Sequence, residues 1–92
     1  MDLEFSPKSD LPVIVIGAAG VDIVGLVRGE LQSRTSNPAN IRTSFGGVAR
    51  NVAENLARLG QPATLLTAIG ADEAGDALLA ELVDAGVEVS AI

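Results

Sequence analysis

Two short, largely apolar segments, each followed closely by a glycine, constrain the fold of this chain more than any other feature. Residues 13–16 read Val-Ile-Val-Ile before Gly17, and a second such segment covers residues 63–69 before Gly70. Apolar runs of this kind are typical of strands buried on both faces of a parallel sheet. Parallel strands are joined by crossovers that usually contain a helix. The chain is therefore predicted to be α/β, and its 92 residues suffice for one small domain.

Two helices are predicted from a change in the period of the apolar residues. Residues 47–59 carry an apolar stripe with alanines beside it, formed by Val48, Val52, Leu56 and Leu59. Gly60 is expected to end this helix. A second helix is predicted over residues 74–85, with Asp72 as its N-cap and Gly86 as its stop. Its apolar stripe is Leu78, Leu79, Leu82 and Val83. Another strand is expected to begin within residues 87–92.

The segment between the first strand and the first helix is predicted to form a small flap. Residues 23–28 and 40–45 have the β-branched or alternating character of short strands, and a polar stretch rich in turn residues separates them. Residues 1–10 are polar and are expected to be a flexible tail. Because crossovers between parallel strands are right-handed, both helices are predicted to cover one face of the sheet and to leave the other bare.

Composition excludes several kinds of chemistry and of partner. The chain has no cysteine and no histidine, so thiolate nucleophiles, imidazole bases and ordinary zinc sites are excluded. Residues 1–70 carry six acidic and six basic side chains, whereas residues 71–92 carry six acidic ones and no basic one. Nucleic-acid binding needs a basic stripe and is not expected. The longest apolar run falls short of the ~20 residues that span a bilayer, so we expect a cytoplasmic protein without membrane contact.

Candidate ligand-binding residues follow the predicted strands, because open parallel sheets bind ligands beyond the carboxyl ends of their strands. Asp22 follows the first strand, where it is either a ligand-binding carboxylate or a turn residue. The pair Gly46 and Gly47 stands at the start of the first helix, where it forms either part of a ligand-binding site or a tight turn. Arg50 and Asn51 stand one turn further on and face either the cleft or solvent.

Two nucleotide-binding motifs are absent. The glycines after the first strand do not have the G-x-G-x-x-G spacing of dinucleotide-binding proteins, and the single lysine lies in the N-terminal tail, which excludes a P-loop.

The sequence Gly-Gly-Val-Ala-Arg-Asn-Val-Ala at residues 46–53, followed by Gly60 and Gly70, resembles the first signature of the ribokinase-like (PfkB) family of carbohydrate and nucleoside kinases. Residues 70–75 are similar to the glycine and aspartate turn of that family. The resemblance covers residues 11–92 and implies a partial three-layer, Rossmann-like parallel sheet with a small β lid over residues 23–45. It also implies that residues 11–92 are the N-terminal part of a kinase domain whose catalytic part lies further downstream.

The resemblance implies transfer of a phosphoryl group from ATP, with Mg²⁺, to a hydroxymethyl group of a sugar or nucleoside. Residues 35–38 together with the helix-start motif look most like the pseudouridine kinases, which favours pseudouridine as acceptor. A ribokinase-type or fructokinase-type sugar kinase is the alternative. A non-catalytic module that pairs with a second copy through the lid is a further alternative, and a homodimer is expected on the same ground.

The resemblance also assigns roles to single residues. Asp22 would hold the sugar hydroxyls, and Gly46, Gly47 and Asn51 would line the same pocket. Arg50 would contribute to the nucleoside preference. Two residues depart from the pattern of the family: Gly20 stands where many relatives carry asparagine, and Ala49 replaces a frequent glycine. The resemblance places the catalytic base and the nucleotide site downstream, so no catalytic, ATP-binding or metal-binding residue is expected here and the isolated chain is expected to be inactive.

Overall fold

The computed structural model describes residues 10–92, so all but the last residue of the predicted tail lies outside the described residues. Four strands and two helices follow one another along the chain. In order they are β1 (Val13–Ile16), β2 (Gly20–Val27), β3 (Ala39–Gly46), α1 (Val48–Arg58), β4 (Ala63–Leu66) and α2 (Glu73–Asp84). The predicted α/β class is therefore confirmed. Within the described part of the chain, no helix is both long and apolar enough to cross a membrane.

The strands form two separate two-stranded sheets. Strands β1 and β4 are parallel, with Val13 opposite Ala63 and Ile16 opposite Leu66. Strands β2 and β3 form an antiparallel hairpin in which Gly20 pairs with Gly46 and every residue up to Val27 has a partner. This hairpin is the predicted flap. Strand β2 begins earlier than predicted, at Gly20, and ends one residue earlier, at Val27, whereas β3 is one residue longer than predicted at each end.

One core forms between the parallel strands and both helices. Its central side chains are buried and come from β4, α1 and α2: Ala49, Ala53, Ala63, Leu65, Leu78 and Leu82. Both helices contribute to a single cluster on one side of β4, as the right-handed crossover rule predicts. The opposite side of β1 is open, because Ile14 is 60% exposed and Ile16 is 75% exposed. The prediction of a bare sheet face is thus confirmed.

The buried face of α1 differs from the predicted one. Val48 is 79% exposed and Val52 is also exposed, whereas Ala49 and Ala53 point into the core. The reason is the close approach of the loop after β1. A Cβ on Gly17 would stand 2.9 Å from the Cβ of Ala49, so nothing larger than a methyl group fits on this side of the helix. The alanines, which looked secondary in the sequence, are the packing residues.

The last predicted strands are shorter than expected. Strand β4 ends at Leu66 instead of continuing to residue 69, and the strand predicted within residues 87–92 is a single parallel bridge between Glu88 and Thr64. The chain turns immediately afterwards, because the Ser90 N–H donates to the Glu88 carboxylate and the Ile92 N–H donates to the carbonyl of Val89. The bridge still places Glu88 beside β4, on the side away from β1.

The start of α2 is fixed by the predicted cap. The Asp72 carboxylate accepts a hydrogen bond of 2.8 Å from the Gly75 N–H. Gly75 also packs on the preceding turn so closely that a Cβ would stand 1.9 Å from the carbonyl oxygen of Gly70. The predicted helix stops are confirmed too, since Gly60 and Gly86 both have a φ of 88°.

Candidate functional site

The five predicted binding residues lie at the junction of the hairpin and α1. Asp22 belongs to β2, Gly46 is the last residue of β3, and Gly47 is the N-cap of α1. Arg50 and Asn51 follow in the first turns of the helix. The hairpin register brings β2 alongside the end of β3, and α1 begins immediately after β3. Residues from three elements therefore meet at one edge of the molecule.

Asp22 lies directly against Gly46. A Cβ on Gly46 would stand 2.5 Å from Oδ2 of Asp22, so the carboxylate occupies the space that any other residue at 46 would need. Asp22 pairs with Ser44 across the hairpin and is exposed, whereas Gly46 is buried. The carboxylate oxygens are thus held by a rigid strand and remain accessible from solvent. This arrangement suits an acceptor of hydrogen bonds from a ligand's hydroxyl groups.

Gly47 allows the loop after β1 to touch the beginning of α1. Its φ of 95° favours glycine, and a Cβ here would stand 2.4 Å from the carbonyl oxygen of Ala18. The Arg50 backbone N–H donates to the same carbonyl at 3.2 Å. No side chain caps α1, and its first turn has no acidic residue. The partial positive charge at the start of the helix is therefore not neutralised by the helix's own side chains.

Arg50 is buried, with 7% of its surface exposed, and its guanidinium group is enclosed by acceptors. Nε donates to the carbonyl of Gly46 at 3.2 Å, and Nη2 donates to Oδ1 of Asn51. Nη1 donates to the carboxylates of Glu54 and Glu81, the latter at 3.2 Å. The structure therefore places Arg50 between the glycine pair and α2, whereas Asn51 is exposed.

The pKa values of the two carboxylates around Arg50, those of Glu54 and Glu81, are shifted in opposite directions. A hydrogen bond with Glu81, helped by the guanidinium groups of Arg58 and Arg50, lowers the pKa of Glu54 to about 2 against the effect of burial. Burial raises the pKa of Glu81, and the nearby Glu54 raises it further. Glu54 is thus the more firmly ionised partner. We did not predict either carboxylate, although the four-residue spacing of Arg50, Glu54 and Arg58 on one helix was a signal for part of this cluster.

Three cavities in the described part of the chain are lined by residues other than the five predicted ones. A cavity of about 520 Å³ lies between the hairpin and the start of α2, on the hairpin face opposite Asp22. It is lined by Val21, Ile23, Thr43, Phe45, Asp72, Glu73, Ala74 and Ala77. A cavity of about 240 Å³ adjoins it at Gly70 and Gly75. A third, of about 430 Å³, lies near Pro12 and Pro62. Asp22 and Asn51 line none of these three cavities and stand at an open surface.

Comparison with known proteins finds similar chains over most of the sequence. Residues 11–92 match the model described as pfkB family carbohydrate kinase. The chain is 44% identical over 77 residues to pseudouridine kinase of Escherichia coli (strain K12), covering 84% of this chain and 25% of that protein. It is 38% identical over 77 residues to guanosine-inosine kinase of Exiguobacterium acetylicum, covering 84% of this chain and 25% of that protein.

Solved structures share the fold. A carbohydrate kinase from Agrobacterium tumefaciens superposes with a TM-score of 0.76 at 33% identity, over 82% of this chain and 24% of that one. Aminoimidazole riboside kinase from Salmonella enterica, complexed with aminoimidazole riboside and an ATP analog, gives a TM-score of 0.64 at 32% identity, over 87% of this chain and 24% of that one. The chain thus spans about a quarter of the length of the relatives it matches.

Proposed function

Because this chain belongs to the pfkB family of carbohydrate kinases, as its resemblance predicted, we propose that it forms the acceptor-binding part of an ATP-dependent nucleoside kinase. Its acceptor is proposed to be pseudouridine, converted to pseudouridine 5′-phosphate. The observation that carries this proposal is the position of the Asp22 carboxylate against Gly46, next to the start of α1, which no side chain caps. Phosphoryl transfer itself would also require a catalytic base and a nucleotide site, and neither is assigned to these residues.

The geometry suits the binding of a ribosyl group. A carboxylate that accepts hydrogen bonds from two neighbouring hydroxyl groups forms charge-assisted bonds, which are stronger than neutral ones. The backbone N–H groups at the start of α1 supply donors and a favourable dipole on the other side of the same ligand. Both Asp22 and Gly47 are held by backbone elements, so the acceptor would be bound in a fixed orientation. Orientation of the attacking hydroxyl is the main task of the protein in phosphoryl transfer.

The choice of a nucleoside is supported by the relatives. Two of the similar enzymes are named for nucleoside substrates, pseudouridine and guanosine or inosine, and each aligns with 84% of the chain. One solved relative contains a bound riboside. These similarities favour a nucleoside over a free sugar, which is the acceptor of the ribokinase-type and fructokinase-type alternative.

The hairpin would act as a lid on this pocket. Strands β2 and β3 project beyond the core, and Asp22 lies at their base. Closing such a lid over the acceptor would exclude water, which competes with the acceptor hydroxyl for the phosphoryl group. The polar connection at residues 28–38 is organised by Asn37, whose side chain bonds the backbone of Gln32 and Thr35.

ATP is proposed as phosphoryl donor and Mg²⁺ as its metal, on the ground of the family alone. Within residues 10–92 no group of three or more acidic, histidine or cysteine residues could hold a metal ion. Mg²⁺ is therefore not assigned to these residues. ATP is not assigned to them because the family resemblance places the nucleotide site downstream, so the proposed part of this chain is to bind and orient the acceptor. Bound Mg²⁺ would neutralise the phosphate charge that develops during transfer.

A homodimer through the lid is supported by the apolar surface of the hairpin. Ile23, Leu26, Leu31 and Ile41 are large apolar side chains in the hairpin and its connection, and all are exposed. Exposed apolar side chains on a sheet with free edges favour pairing with another chain. Light scattering should then give twice the monomer mass, and Ile23→Lys together with Ile41→Lys should return the monomer. A monomeric wild-type protein would contradict the dimer.

Titration of the purified protein with nucleosides and sugars tests the function. We expect pseudouridine to bind more tightly than uridine, ribose or fructose, and Asp22→Asn to weaken binding at least tenfold. Asp84→Asn, at the exposed end of α2, is the matched control and should leave affinity unchanged. Preference for ribose or fructose would favour the sugar-kinase alternative. Unchanged affinity in Asp22→Asn would show that this carboxylate does not belong to the site. Pseudouridine-dependent ATP consumption by the 92-residue chain would contradict the proposal that the chain is only the acceptor-binding part.

A further inference from the structure

Arg50 connects two of the predicted binding groups without standing at the surface that a ligand would reach. Its guanidinium contacts the carbonyl of Gly46 and the side-chain oxygen of Asn51, and 93% of the residue is enclosed, since 7% is exposed. We propose that Arg50 is a positioning residue, which fixes Asn51 and Gly46 for the acceptor and does not itself contact it. This inference rests on the proposed function, because it concerns the same acceptor site.

The hydrogen bonds of Arg50 leave it little capacity for a ligand. A guanidinium group has five N–H donors in a rigid fork. Four acceptor groups surround these donors: the carbonyl of Gly46, the side-chain oxygen of Asn51, and the carboxylates of Glu54 and Glu81. The two carboxylates balance the buried positive charge. The remaining two contacts go to the residues that the family resemblance assigns to the pocket.

The contact with Asn51 determines what that side chain can offer to a ligand. Because Oδ1 of Asn51 accepts from Nη2 of Arg50, the amide is oriented with its two N–H donors away from the guanidinium. These donors make no hydrogen bond within residues 10–92. Asn51 is thereby fixed as a donor, while the Asp22 carboxylate, which lies against Gly46, is an acceptor. An acceptor molecule with both hydroxyl hydrogens and carbonyl or hydroxyl oxygens would complement the pair.

A purely structural role would not require arginine at this position. Buried ion pairs can often be replaced by apolar residues of similar volume with little loss of stability. A lysine could satisfy the carboxylates of Glu54 and Glu81, but as a single ammonium group it cannot reproduce the fork that reaches Gly46 and Asn51 as well. The position therefore demands the shape of the guanidinium group in addition to its charge.

The attachment of Arg50 spans both helices and the loop after β1. Its backbone N–H bonds the Ala18 carbonyl, while its side chain bonds the carbonyl of Gly46 at the end of β3, Glu54 within α1 and Glu81 of α2. A side chain held from three elements has few alternative rotamers, because any rotation breaks several bonds at once. Such restraint is what a positioning residue needs in order to hold its neighbours within a fraction of an ångström.

The test compares Arg50→Lys with Arg58→Lys, a matched control, because Arg58 bonds the same Glu54 carboxylate but is exposed. We expect Arg50→Lys to shift and broaden the NMR signals of the Asn51 side-chain amide and to raise the dissociation constant for pseudouridine about tenfold. Arg58→Lys should change neither. Asn51→Ala combined with Arg50→Lys should weaken binding by less than the sum of the two single losses, since part of the effect of Arg50→Lys acts through the orientation of Asn51.

A second measurement uses the unmodified protein, so it does not depend on whether a variant folds. On saturation with pseudouridine, the Asn51 side-chain amide signal should move and the Arg50 Nε–H signal should stay nearly in place. A large shift of the Arg50 signal, or additive losses in the double variant, would overturn the positioning role. If the protein binds none of the nucleosides or sugars, the proposed function fails. Even in that case, the effect of Arg50→Lys on the Asn51 amide signals tests whether Arg50 positions Asn51. Unchanged signals would overturn the positioning role.

Discussion

The carboxylate of Asp22 occupies the space in which a side chain at position 46 would stand. A Cβ on Gly46 would stand 2.5 Å from Oδ2 of Asp22, and 3.3 Å from its carboxyl carbon. Distances below 3.0 Å are not found for real Cβ atoms, so any side chain at 46 must displace the carboxylate. The glycine therefore determines where the charge of Asp22 stands relative to the start of α1.

Replacement of Gly46 by alanine tests this relationship. Gly46→Ala should weaken acceptor binding roughly tenfold or more, because the displaced Asp22 carboxylate loses its alignment with the ligand's hydroxyls. The matched control is Gly20→Ala, at the residue that pairs with Gly46 across the hairpin and has no atom within 4 Å of its Cβ position. Titration calorimetry should show a loss for the first variant alone. If Gly46→Ala binds the acceptor as tightly as Gly20→Ala does, the position of the Asp22 carboxylate is unimportant for binding.

Replacement of Gly47 by alanine should affect stability more than binding chemistry. A Cβ here meets the carbonyl oxygen of Ala18 at 2.4 Å, and the φ of 95° is strained for any other residue. We expect a loss of about 3 kcal/mol in the free energy of unfolding. Gly60→Ala, at a similar φ but in open space, should cost only about 1 kcal/mol. Urea unfolding of both variants measures the difference, and similar losses would show that the contact with Ala18 is unimportant.

The two carboxylates around Arg50 should respond differently to removal of their charge. Glu54→Gln leaves the buried Arg50 without its partner one helical turn away and should destabilise the fold by about 2 kcal/mol at pH 7. Glu81→Gln removes a carboxylate that lies close to another one, so its net effect should stay within about 0.5 kcal/mol. Chemical unfolding of the two variants distinguishes these effects. A larger loss of stability in Glu81→Gln than in Glu54→Gln would show that Glu81 is the more important partner of Arg50.

The same pair predicts a pH dependence of stability. Glu54 has a pKa of about 2 when folded and 4.5 when unfolded, so the unfolded state binds more protons and stability rises between about pH 2 and pH 4.5. The pKa of Glu81 is raised on folding, so its contribution has the opposite sign and stability falls as pH rises above 4.5 through the folded value. Glu54→Gln should flatten the rise below pH 4.5. A rise of unchanged size in that variant would exclude Glu54 as its source.

Much of the fold was predictable because local patterns and tertiary packing agree. The strand at Val13–Ile16 and the caps of α2 were predicted residue by residue, since a buried run, an N-cap and a C-terminal glycine are local signals. The inward face of α1 was not predicted. Val48 looks like a core residue by hydrophobicity, but the close approach of Gly17 to Ala49 decides the packing. That approach depends on residues far apart in the sequence.

The site was predictable in its position but not in its electrostatics. Strand ends and the glycine pair indicated the region of the fold in which Asp22 lies against Gly46. The burial of Arg50 had no local signal, because its enclosure depends on Glu81, which lies 31 residues away on another helix. The roles of the five residues in acceptor binding stay predictions until the titrations above are done.

The contact between Gly75 and the Gly70 carbonyl limits how this sequence can change over evolutionary time. A Cβ at Gly75 would lie 1.9 Å from that oxygen, and every single-base change in a glycine codon that alters the residue introduces a Cβ or stops translation. While the turn and α2 remain in contact, mutational drift cannot pass through this position. We therefore expect glycine at this position in other sequences that share this turn.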